Sequence, residues 1–189
     1  MSLVLFILMI LVSKLTADSE PERELGLLFD FTGENASRAW MAVNDGVMGG
    51  RSSGGARIVA GGMEFTGTLS LENNGGFASL RQSVNLDLSE YSGIYLKVKG
   101  DGRTYQLRTE STARLWGRWP VSFSTEFKTE AGQWQEFYLP FAGQTQGWRG
   151  RELRGYSFDK SEVRMLGLLL GDKTPGPFTL QVESLGVYK

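Results

Sequence analysis

Hydrophobic and polar residues alternate with a period of two along most of the chain after Leu27. Between residues 63 and 72, the apolar side chains occupy odd positions and the polar side chains occupy even positions. The same kind of alternation recurs between residues 94 and 99. A strand with one buried face and one solvent-facing side produces this pattern. The pattern therefore predicts an all-β protein.

Nine segments have the length and composition of strands. They are residues 28–31, 63–72, 77–86, 94–99, 104–110, 121–129, 135–139, 165–170 and 178–188. In the last segment the apolar residues change parity, which predicts a β-bulge near Glu183 and Ser184. Turns rich in glycine, asparagine and proline separate several of the segments. Many short strands joined by such turns predict a sandwich or a barrel, with one short helical turn around residues 35–41.

An uninterrupted apolar run of ten residues extends from Leu3 to Val12. A helix of that length measures about 15 Å, which is too short to cross a hydrocarbon core of about 30 Å, but it matches the apolar part of a secretory signal. We predict a signal peptide over 1–17, a polar lead-in over 18–26, a single β-sandwich domain over 27–189, and export to the periplasm or the exterior. The alternative is an uncleaved membrane anchor over 3–12, which would then be the only membrane contact.

The chain of 189 residues contains no histidine and no cysteine. It therefore cannot form a Ser-His-Asp triad, a thiolate nucleophile, a disulfide, or a zinc site with His or Cys ligands. We expect no enzyme activity, no catalytic residue, no metal ligand set and no cofactor, although an oxygen-lined structural calcium site stays open. The chain has 20 basic and 21 acidic side chains, which gives a net charge of -1. Because such a balance provides no overall attraction for phosphate groups, no nucleic-acid partner is expected.

The most distinctive stretch extends from Trp40 to Ser52 and is rich in glycine. Its candidate functional residues are Trp40, Asn44, Asp45, Gly46, Met48, Gly49, Gly50 and Ser52. One interpretation is a structural turn in which Trp40 and Met48 are anchored in the core. The other is an ion or partner site that uses Asp45 and nearby carbonyl groups. The spacing alone leaves both interpretations open.

Arginine and tryptophan are concentrated between residues 103 and 154. The candidate partner or sugar surface consists of Arg108, Glu110, Arg114, Trp116, Arg118, Trp119, Trp148, Arg149 and Arg151. Both residue types are enriched at binding hot spots. Residues 114–120 are interpreted as a loop whose tryptophans bind a ligand, whereas Trp134 is expected to cap the core. The alternative is that the arginines form solvated pairs with glutamates. These glutamates are Glu110, Glu126, Glu130 and Glu136.

The parity of three predicted strands places Arg81, Arg108 and Glu110 on the outer side of the sandwich. If these strands are close together in one sheet, the three side chains form a polar groove. Such a groove would suit a sugar or a peptide segment.

The stretch that begins at Trp40 reads Trp-x3-Asn-Asp-Gly-Val-Met-Gly-Gly-x-Ser, and a second glycine-rich motif follows it. The residues of this second motif are Gly75, Gly76, Phe77, Ser79 and Arg81. Together the two motifs closely resemble the signature of the complex I intermediate-associated protein family, the thirty-kilodalton type. Further landmarks of that family follow in the expected order as far as Tyr188.

The resemblance implies a galactose-binding-like jelly-roll β-sandwich. It also implies a role like that of the mitochondrial members, which are assembly factors for respiratory NADH:ubiquinone oxidoreductase (complex I). These members bind assembly intermediates in a chaperone-like way, and no catalytic residue is established for them. The leader of this chain is apolar rather than an Arg-rich mitochondrial presequence. Export is therefore favoured, with a mitochondrial location as the alternative.

Two functions are compatible with these observations. The favoured one is a non-catalytic, chaperone-like assembly factor domain whose partner is a protein or an assembly intermediate. The alternative is an exported carbohydrate-binding module of the same fold class, in which tryptophan and arginine side chains recognise a sugar.

Overall fold

A computed structural model describes residues 23–32 and 40–189. The predicted signal peptide, most of the polar lead-in and most of the helical turn expected around residues 35–41 lie outside the described residues. Within the described ranges, none of the helices combines the length and the apolar character that a membrane span requires. The helices found there are short 3-10 turns, at Asp45–Met48, Glu72–Asn74 and Lys160–Glu162.

Strands make up most of the described chain. They are β1 (Leu25–Asp30), β2 (Met41–Ala42), β3 (Ser53–Val59), β4 (Gly62–Leu69), β5 (Ala78–Leu86), β6 (Gly93–Lys99), β7 (Thr104–Leu115), β8 (Trp119–Lys128), β9 (Trp134–Pro140), β10 (Thr145–Trp148), β11 (Arg151–Leu153), β12 (Val163–Leu170) and β13 (Gly176–Tyr188). The first of them includes Leu25 and Gly26, which pair with Tyr188 and Val187 near the end of the chain.

The strands form two antiparallel sheets that pack face to face. The six-stranded sheet has the order β3-β4-β13-β6-β9, with β1 also paired to β13, and the seven-stranded sheet has the order β11-β10-β8-β7-β12-β5-β2. The chain crosses between the sheets repeatedly, for example from β4 to β5, from β5 to β6 and from β6 to β7, as in a jelly roll. The prediction of an all-β jelly-roll sandwich is confirmed.

Alternating side chains of both sheets fill the space between them. Phe65 of β4 and Leu180 of β13 come from one sheet, and Tyr105 of β7 and Leu168 of β12 come from the other; all four are fully buried. The predicted bulge in the last strand is confirmed, because the pairing of β13 with β6 shifts register between Val182 and Ser184. This shift keeps the apolar residues on both sides of the bulge inside the core.

Four strands do not follow from the pattern. The sequence of β3 begins Ser-Gly-Gly, which lacks alternation, and β2, β10 and β11 have only two to four residues each. The interpretation of residues 114–120 as a loop is wrong. Because β7 continues to Leu115 and β8 begins at Trp119, this stretch is a tight hairpin. Its turn is made by Trp116 and Gly117, both with positive φ.

Two expectations about the core are also wrong. Trp134 lies on the edge strand β9, is 42% exposed and has the Lys99 ammonium 5.2 Å from its ring centroid. Met48 is exposed at the end of a 3-10 turn. Trp40, in contrast, is buried as predicted, with its ring centroid 5.6 Å from that of Phe29 and 5.7 Å from that of Phe31.

Substitution of Gly67 in β4 tests how closely β3 and β4 approach. A Cβ atom at Gly67 would lie 2.0 Å from the Ser53 carbonyl oxygen of β3, so the backbone would have to move. We expect Gly67→Ala to lower the free energy of unfolding by about 1–3 kcal/mol, as for other overpacked sites, when measured by urea denaturation.

Gly55 in the neighbouring strand is the matched control, because a Cβ atom there would meet nothing within 4 Å. Gly55→Ala should leave the unfolding midpoint almost unchanged. Equal midpoints for the two variants would contradict the close approach of these strands.

Candidate functional site

The two glycine-rich motifs meet at the carboxylate of Asp45, which has no solvent-exposed surface. Its Oδ1 accepts a hydrogen bond from the Ser52 backbone N–H at 2.8 Å. Its Oδ2 accepts from the Ser52 hydroxyl at 2.5 Å, from the Gly76 N–H at 2.7 Å and from the Phe77 N–H at 3.3 Å. One side chain therefore ties the loop before β3 to the loop before β5.

The glycines of both motifs make room for this carboxylate. A Cβ atom at Gly50 would lie 2.4 Å from the Asp45 Cγ, and a Cβ atom at Gly75 would lie 2.6 Å from the Asp45 Oδ2. Next to them, Gly49 and Gly76 have φ values of 88° and 118°, which favour glycine. The paired glycines are thus explained by backbone packed directly against a buried acid.

The contacts of Asp45 favour the structural interpretation of this loop. Burial alone would raise the pKa of the Asp45 carboxyl, but the hydrogen bonds from Ser52, Gly76 and Phe77 outweigh it and hold the pKa below its usual value. All of these groups are donors that use the lone pairs a cation would need. Among the described residues, no cluster of three or more acidic, His or Cys side chains is arranged to hold a metal ion.

Asn44 and Ser79 connect the same loop to the strands beneath it. The Asn44 Nδ2 donates to the Gly54 carbonyl at 3.0 Å, and the Asn44 Oδ1 accepts from the Ser79 N–H at 3.3 Å. The Ser79 hydroxyl donates to the Val43 carbonyl at 2.5 Å. These hydrogen bonds hold the base of the loop from Val43 to Ser52, called the motif loop, against the strands. Val47 and Met48 at its tip are exposed to solvent.

A groove with a volume of about 770 Å³ crosses the outer face of the seven-stranded sheet. One rim is formed by the motif loop, including Val47 and Met48, and by residues 74–77. The other rim is formed by the β10–β11 hairpin and by Trp119. Asp45 therefore anchors the first rim, and both motifs border the groove, whose floor includes Arg81 of the second motif.

The strand register determines what lies on the groove floor. One row of directly paired residues crosses six strands in the order Met41, Arg81, Gly167, Arg108, Ser124 and Thr145. Arg81 and Arg108 therefore lie on either side of Gly167, which has no side chain to separate them. Glu110 lies two residues farther along β7 and accepts a hydrogen bond from the Ser122 hydroxyl at 3.1 Å. The predicted grouping of Arg81, Arg108 and Glu110 is present.

Neither arginine of the floor has an acidic partner. Among the described residues, no carboxylate oxygen lies within 4.0 Å of a guanidinium nitrogen of Arg81 or Arg108. Burial lowers the pKa of Arg108, the positive charge of Arg81 lowers it further, and Glu110 partly offsets both effects. The floor therefore carries two neighbouring positive charges that form no ion pair with a described carboxylate, and Glu110 offsets them only in part.

A cluster of tryptophans and arginines forms the second rim. The Trp148 ring centroid lies 6.1 Å from that of Trp116 and 6.0 Å from that of Trp119. The Arg149 guanidinium lies 5.1 Å from the Trp148 ring centroid, and the Arg118 guanidinium lies 4.9 Å from that of Trp119. Trp116 at the hairpin tip is 75% exposed. The rim is a continuous surface of aromatic rings and cations.

The structure brings together most of the residues of the candidate surface. Those that line the groove are Arg108, Glu110, Trp119, Trp148, Arg149 and Arg151, together with Arg81 of the second motif. Trp116 and Arg118 lie beside the rim through their contacts with Trp148 and Trp119. Arg114 does not line the groove, because its guanidinium donates to the carbonyls of Ser111 and Ala113.

The expected arginine–glutamate pairs are absent from the described part of the chain. Arg103 instead pairs with Asp172 at 2.6 Å, and Arg154 pairs with Glu152 at 3.3 Å. The pattern also did not single out Met41 and Gly167, which lie in the same cross-strand row as the two arginines of the floor. Only the strand order, which the alternation of residues does not contain, identifies them.

A family model described as "Complex I intermediate-associated protein 30 (CIA30)" matches residues 29–182. The chain belongs to this family. The predicted resemblance is thereby confirmed, and the match spans both motifs, the groove floor and the tryptophan rim.

Among the curated relatives, the probable complex I intermediate-associated protein 30, mitochondrial, of Caenorhabditis elegans is 33% identical over 100 residues, which are 52% of this chain and 29% of the relative. The mouse protein of the same name is 30% identical over 115 residues, which are 58% of this chain and 34% of the relative. The matched region is thus about a third of each relative. Both names include "mitochondrial", in agreement with the alternative location, whereas the prediction of export depends on residues that the structure does not describe.

Solved structures with a similar fold include carbohydrate-binding modules. The family 11 module of a cellulosomal cellulase from Clostridium thermocellum has a TM-score of 0.65 and 15% identity, covering 88% of this chain and 95% of the module. An agarase has a TM-score of 0.54 and 15% identity, covering 85% of this chain and 26% of the enzyme. At such low identity the likeness concerns the sandwich fold alone.

Replacement of Asp45 tests whether one carboxylate holds the two motifs together. In Asp45→Asn, an amide NH₂ replaces one acceptor oxygen and faces backbone N–H groups, so buried donors lose their partners. We expect a loss of about 3 kcal/mol in the free energy of unfolding near neutral pH, measured by urea denaturation. Asp87→Asn is the control, since Asp87 is exposed and caps only a local turn at Ser89; it should change stability little.

The pH dependence gives a second readout for the same variant. Because the folded-state pKa of Asp45 is lowered, its stabilising contribution is complete above about pH 4, the usual pKa of aspartate. It is lost as the pH falls through the lowered value. The stability difference between the parent chain and Asp45→Asn should therefore shrink in strong acid. A difference that stays constant down to pH 2 would contradict the carboxylate's role.

Proposed function

We propose that the chain is a non-catalytic protein-binding domain that acts in complex I assembly and holds a segment of an assembly intermediate in its groove. Family membership and the names of the relatives support the complex I association. The observation that carries the proposal is the groove itself, which combines two arginines that form no ion pair within the described chain with rims of exposed apolar and aromatic side chains.

The dimensions of the floor suit an extended peptide. Six adjacent strands spaced about 4.8 Å apart span about 24 Å, which is the length of about seven residues of extended chain. Exposed Met41 is at the β2 end of this row, exposed Val47 lines the first rim, and the tryptophan cluster forms the second rim. Aromatic residues, methionine and arginine are the side chains enriched in protein interfaces. This combination supports a protein segment as the ligand.

The positions of the acidic residues support a non-catalytic role. Among the described residues, Glu110 and Glu152 are the carboxylates that line the groove, and they are connected by the register through Ser122 and Gly147. Three strand spacings separate their backbones by about 14 Å, whereas paired carboxylates of glycoside hydrolases lie about 5–10 Å apart. Glu152 also pairs with Arg154. The groove therefore offers no obvious acid–base pair.

Site-specific photo-crosslinking in the native host tests this proposal. Val47, which is 72% exposed on the rim, is replaced by a photoreactive benzoyl-phenylalanine. We expect irradiation to link it to complex I subunits or to components of complex I assembly intermediates, identified by mass spectrometry. Ile58 is the matched control, because it is an exposed aliphatic residue of β3 in the opposite sheet.

The control variant should give no such adducts. The absence of adducts from the Val47 variant would count against the proposal, as would the same adducts from both variants. Adducts only with proteins unrelated to complex I would retain a protein-binding groove but overturn its assignment to complex I assembly.

A second candidate function is carbohydrate binding, as in an exported module, and the exposed Trp116 ring favours it. Sugar rings stack on exposed aromatic faces, and Trp116 protrudes beside Trp148 at the rim. This function predicts retarded migration in affinity gels that contain a soluble polysaccharide, with the retardation abolished in Trp116→Ala. Trp134→Ala is the control, since Trp134 is a partly exposed tryptophan on the other sheet. Unretarded migration across a broad panel of polysaccharides would eliminate this candidate.

A further inference from the structure

We propose that Arg81 and Arg108 form a carboxylate-binding site that recognises an acidic side chain of a peptide segment lying in the groove. The inference rests on the proposed function, because it names the chemistry by which the groove would select its protein partner. It depends on three features of the floor: the placement of the two arginines, their lack of acidic partners, and their apolar neighbours.

The placement follows from the strand register. Gly167 of β12 pairs with Arg81 of β5 on one side and with Arg108 of β7 on the other. The two arginine backbones are therefore about 10 Å apart, two strand spacings, and both side chains line the groove. A Cβ atom at Gly167 would lie 2.9 Å from the Leu80 carbonyl, 3.2 Å from the Met165 Sδ and 3.8 Å from the Arg81 Cγ. Gly167 itself contributes no side chain between the two arginines, so an acidic group that reaches both guanidinium groups would lie beside the buried Met165 side chain.

The electrostatics of the floor favour an anion at this point. Arg108 is half-buried, and Arg81 is close enough to disfavour its charged form. Glu110 is the nearest opposing charge, but its oxygens lie more than 4.0 Å from both guanidinium groups, and one of them accepts from Ser122. A carboxylate between the arginines would receive charge-assisted hydrogen bonds from both. It would also relieve the repulsion between them.

The other charged side chains that line the groove also favour an anion, because most of them are positive. Arg149, Arg151 and Lys173 line its rims, whereas Glu152, the one further carboxylate that the described chain places there, pairs with Arg154 at 3.3 Å. The potential inside the groove is therefore positive. Anionic segments would be drawn toward the floor before they make specific contacts.

The apolar neighbours point to a peptide rather than to another kind of anion. Met41 is the direct cross-strand neighbour of Arg81 and is exposed, and Val47 and Met48 are exposed side chains that line the first rim of the groove. These side chains would be left without partners against a phosphate or an acidic sugar. They suit a segment in which apolar residues flank one aspartate or glutamate.

Nuclear magnetic resonance titration with two short peptides tests the site. The probe is acetyl-Ser-Leu-Ser-Glu-Ser-Leu-Ser-amide, and the matched control peptide has glutamine in place of glutamate. We expect the Nε–Hε signals of Arg81 and Arg108 to shift saturably with the glutamate peptide, and the glutamine peptide to bind at least tenfold more weakly. Arg81→Gln and Arg108→Gln should each weaken binding of the glutamate peptide by about tenfold or more, as expected for loss of a hydrogen bond to a charged group.

Arg57→Gln is the control variant, because Arg57 is an exposed arginine of β3 that pairs with Glu64 on the opposite sheet. It should bind the glutamate peptide like the parent chain. Unchanged amide spectra away from the groove establish that each variant is folded. Equal binding of the two peptides, or unchanged affinity in both groove variants, would overturn the carboxylate site. A response to oligogalacturonate without any response to the peptide would overturn the choice of a peptide.

The Val47 photo-crosslink separates this inference from the proposed function. In a chain that also carries Arg81→Gln and Arg108→Gln, the inference predicts at least a tenfold loss of adducts with complex I assembly components. Full retention of those adducts would leave the proposed function intact and overturn the arginine site. Their absence already in the parent chain would instead overturn the proposed function.

Discussion

The buried carboxylate of Asp45 is the constraint on which the arrangement of the groove depends. An ionised acid without solvent exposure is costly unless donors surround it, and here all of the donors come from the two glycine-rich loops. The loops can reach the carboxylate only because Gly50 and Gly75 lack a Cβ atom where the acid lies. The buried carboxylate needs backbone N–H donors close to it, and this need explains why both motifs are rich in glycine. It also holds one rim of the groove in a single position above the sheet.

This arrangement separates the residues that build the groove from those that would meet a ligand. The polar side-chain groups of Asp45, Asn44 and Ser79 form hydrogen bonds to backbone groups of the loop and of its neighbouring strands. Arg81 and Arg108 lie on strands whose backbone pairing is complete without their side chains. Their guanidinium groups form no ion pair within the described chain. Within the family signature, Asp45 and the glycines build the scaffold, whereas Arg81 of the second motif lies on the groove floor with Arg108.

The alternation of apolar and polar residues was sufficient to predict the fold and the bulge in β13, because a strand with one buried and one solvent-exposed face alternates between the two kinds of side chain. It failed where other constraints dominate. The segment that forms β3 is rich in glycine, and the strands of the β10–β11 hairpin are too short to carry a pattern. Trp134 illustrates a different limit, since parity does not tell which of two faces is the inner one on an edge strand. For the site, parity placed Arg81, Arg108 and Glu110 on one side of the sheet. The role of Gly167 between the two arginines required the order of the strands.

The fold itself does not decide between a protein and a sugar as the partner, because sandwiches of this type carry unrelated functions. The discrimination must come from the chemistry of the floor. A neutral oligosaccharide offers hydroxyl groups, which would leave the adjacent charges of Arg81 and Arg108 uncompensated once water is displaced. It would also leave Met41 and Val47 without apolar contacts. The tryptophan rim suits either partner, since aromatic rings stack on sugars and on side chains alike. The floor is the more selective part of the groove, and its two positive charges beside apolar side chains favour an acidic protein segment.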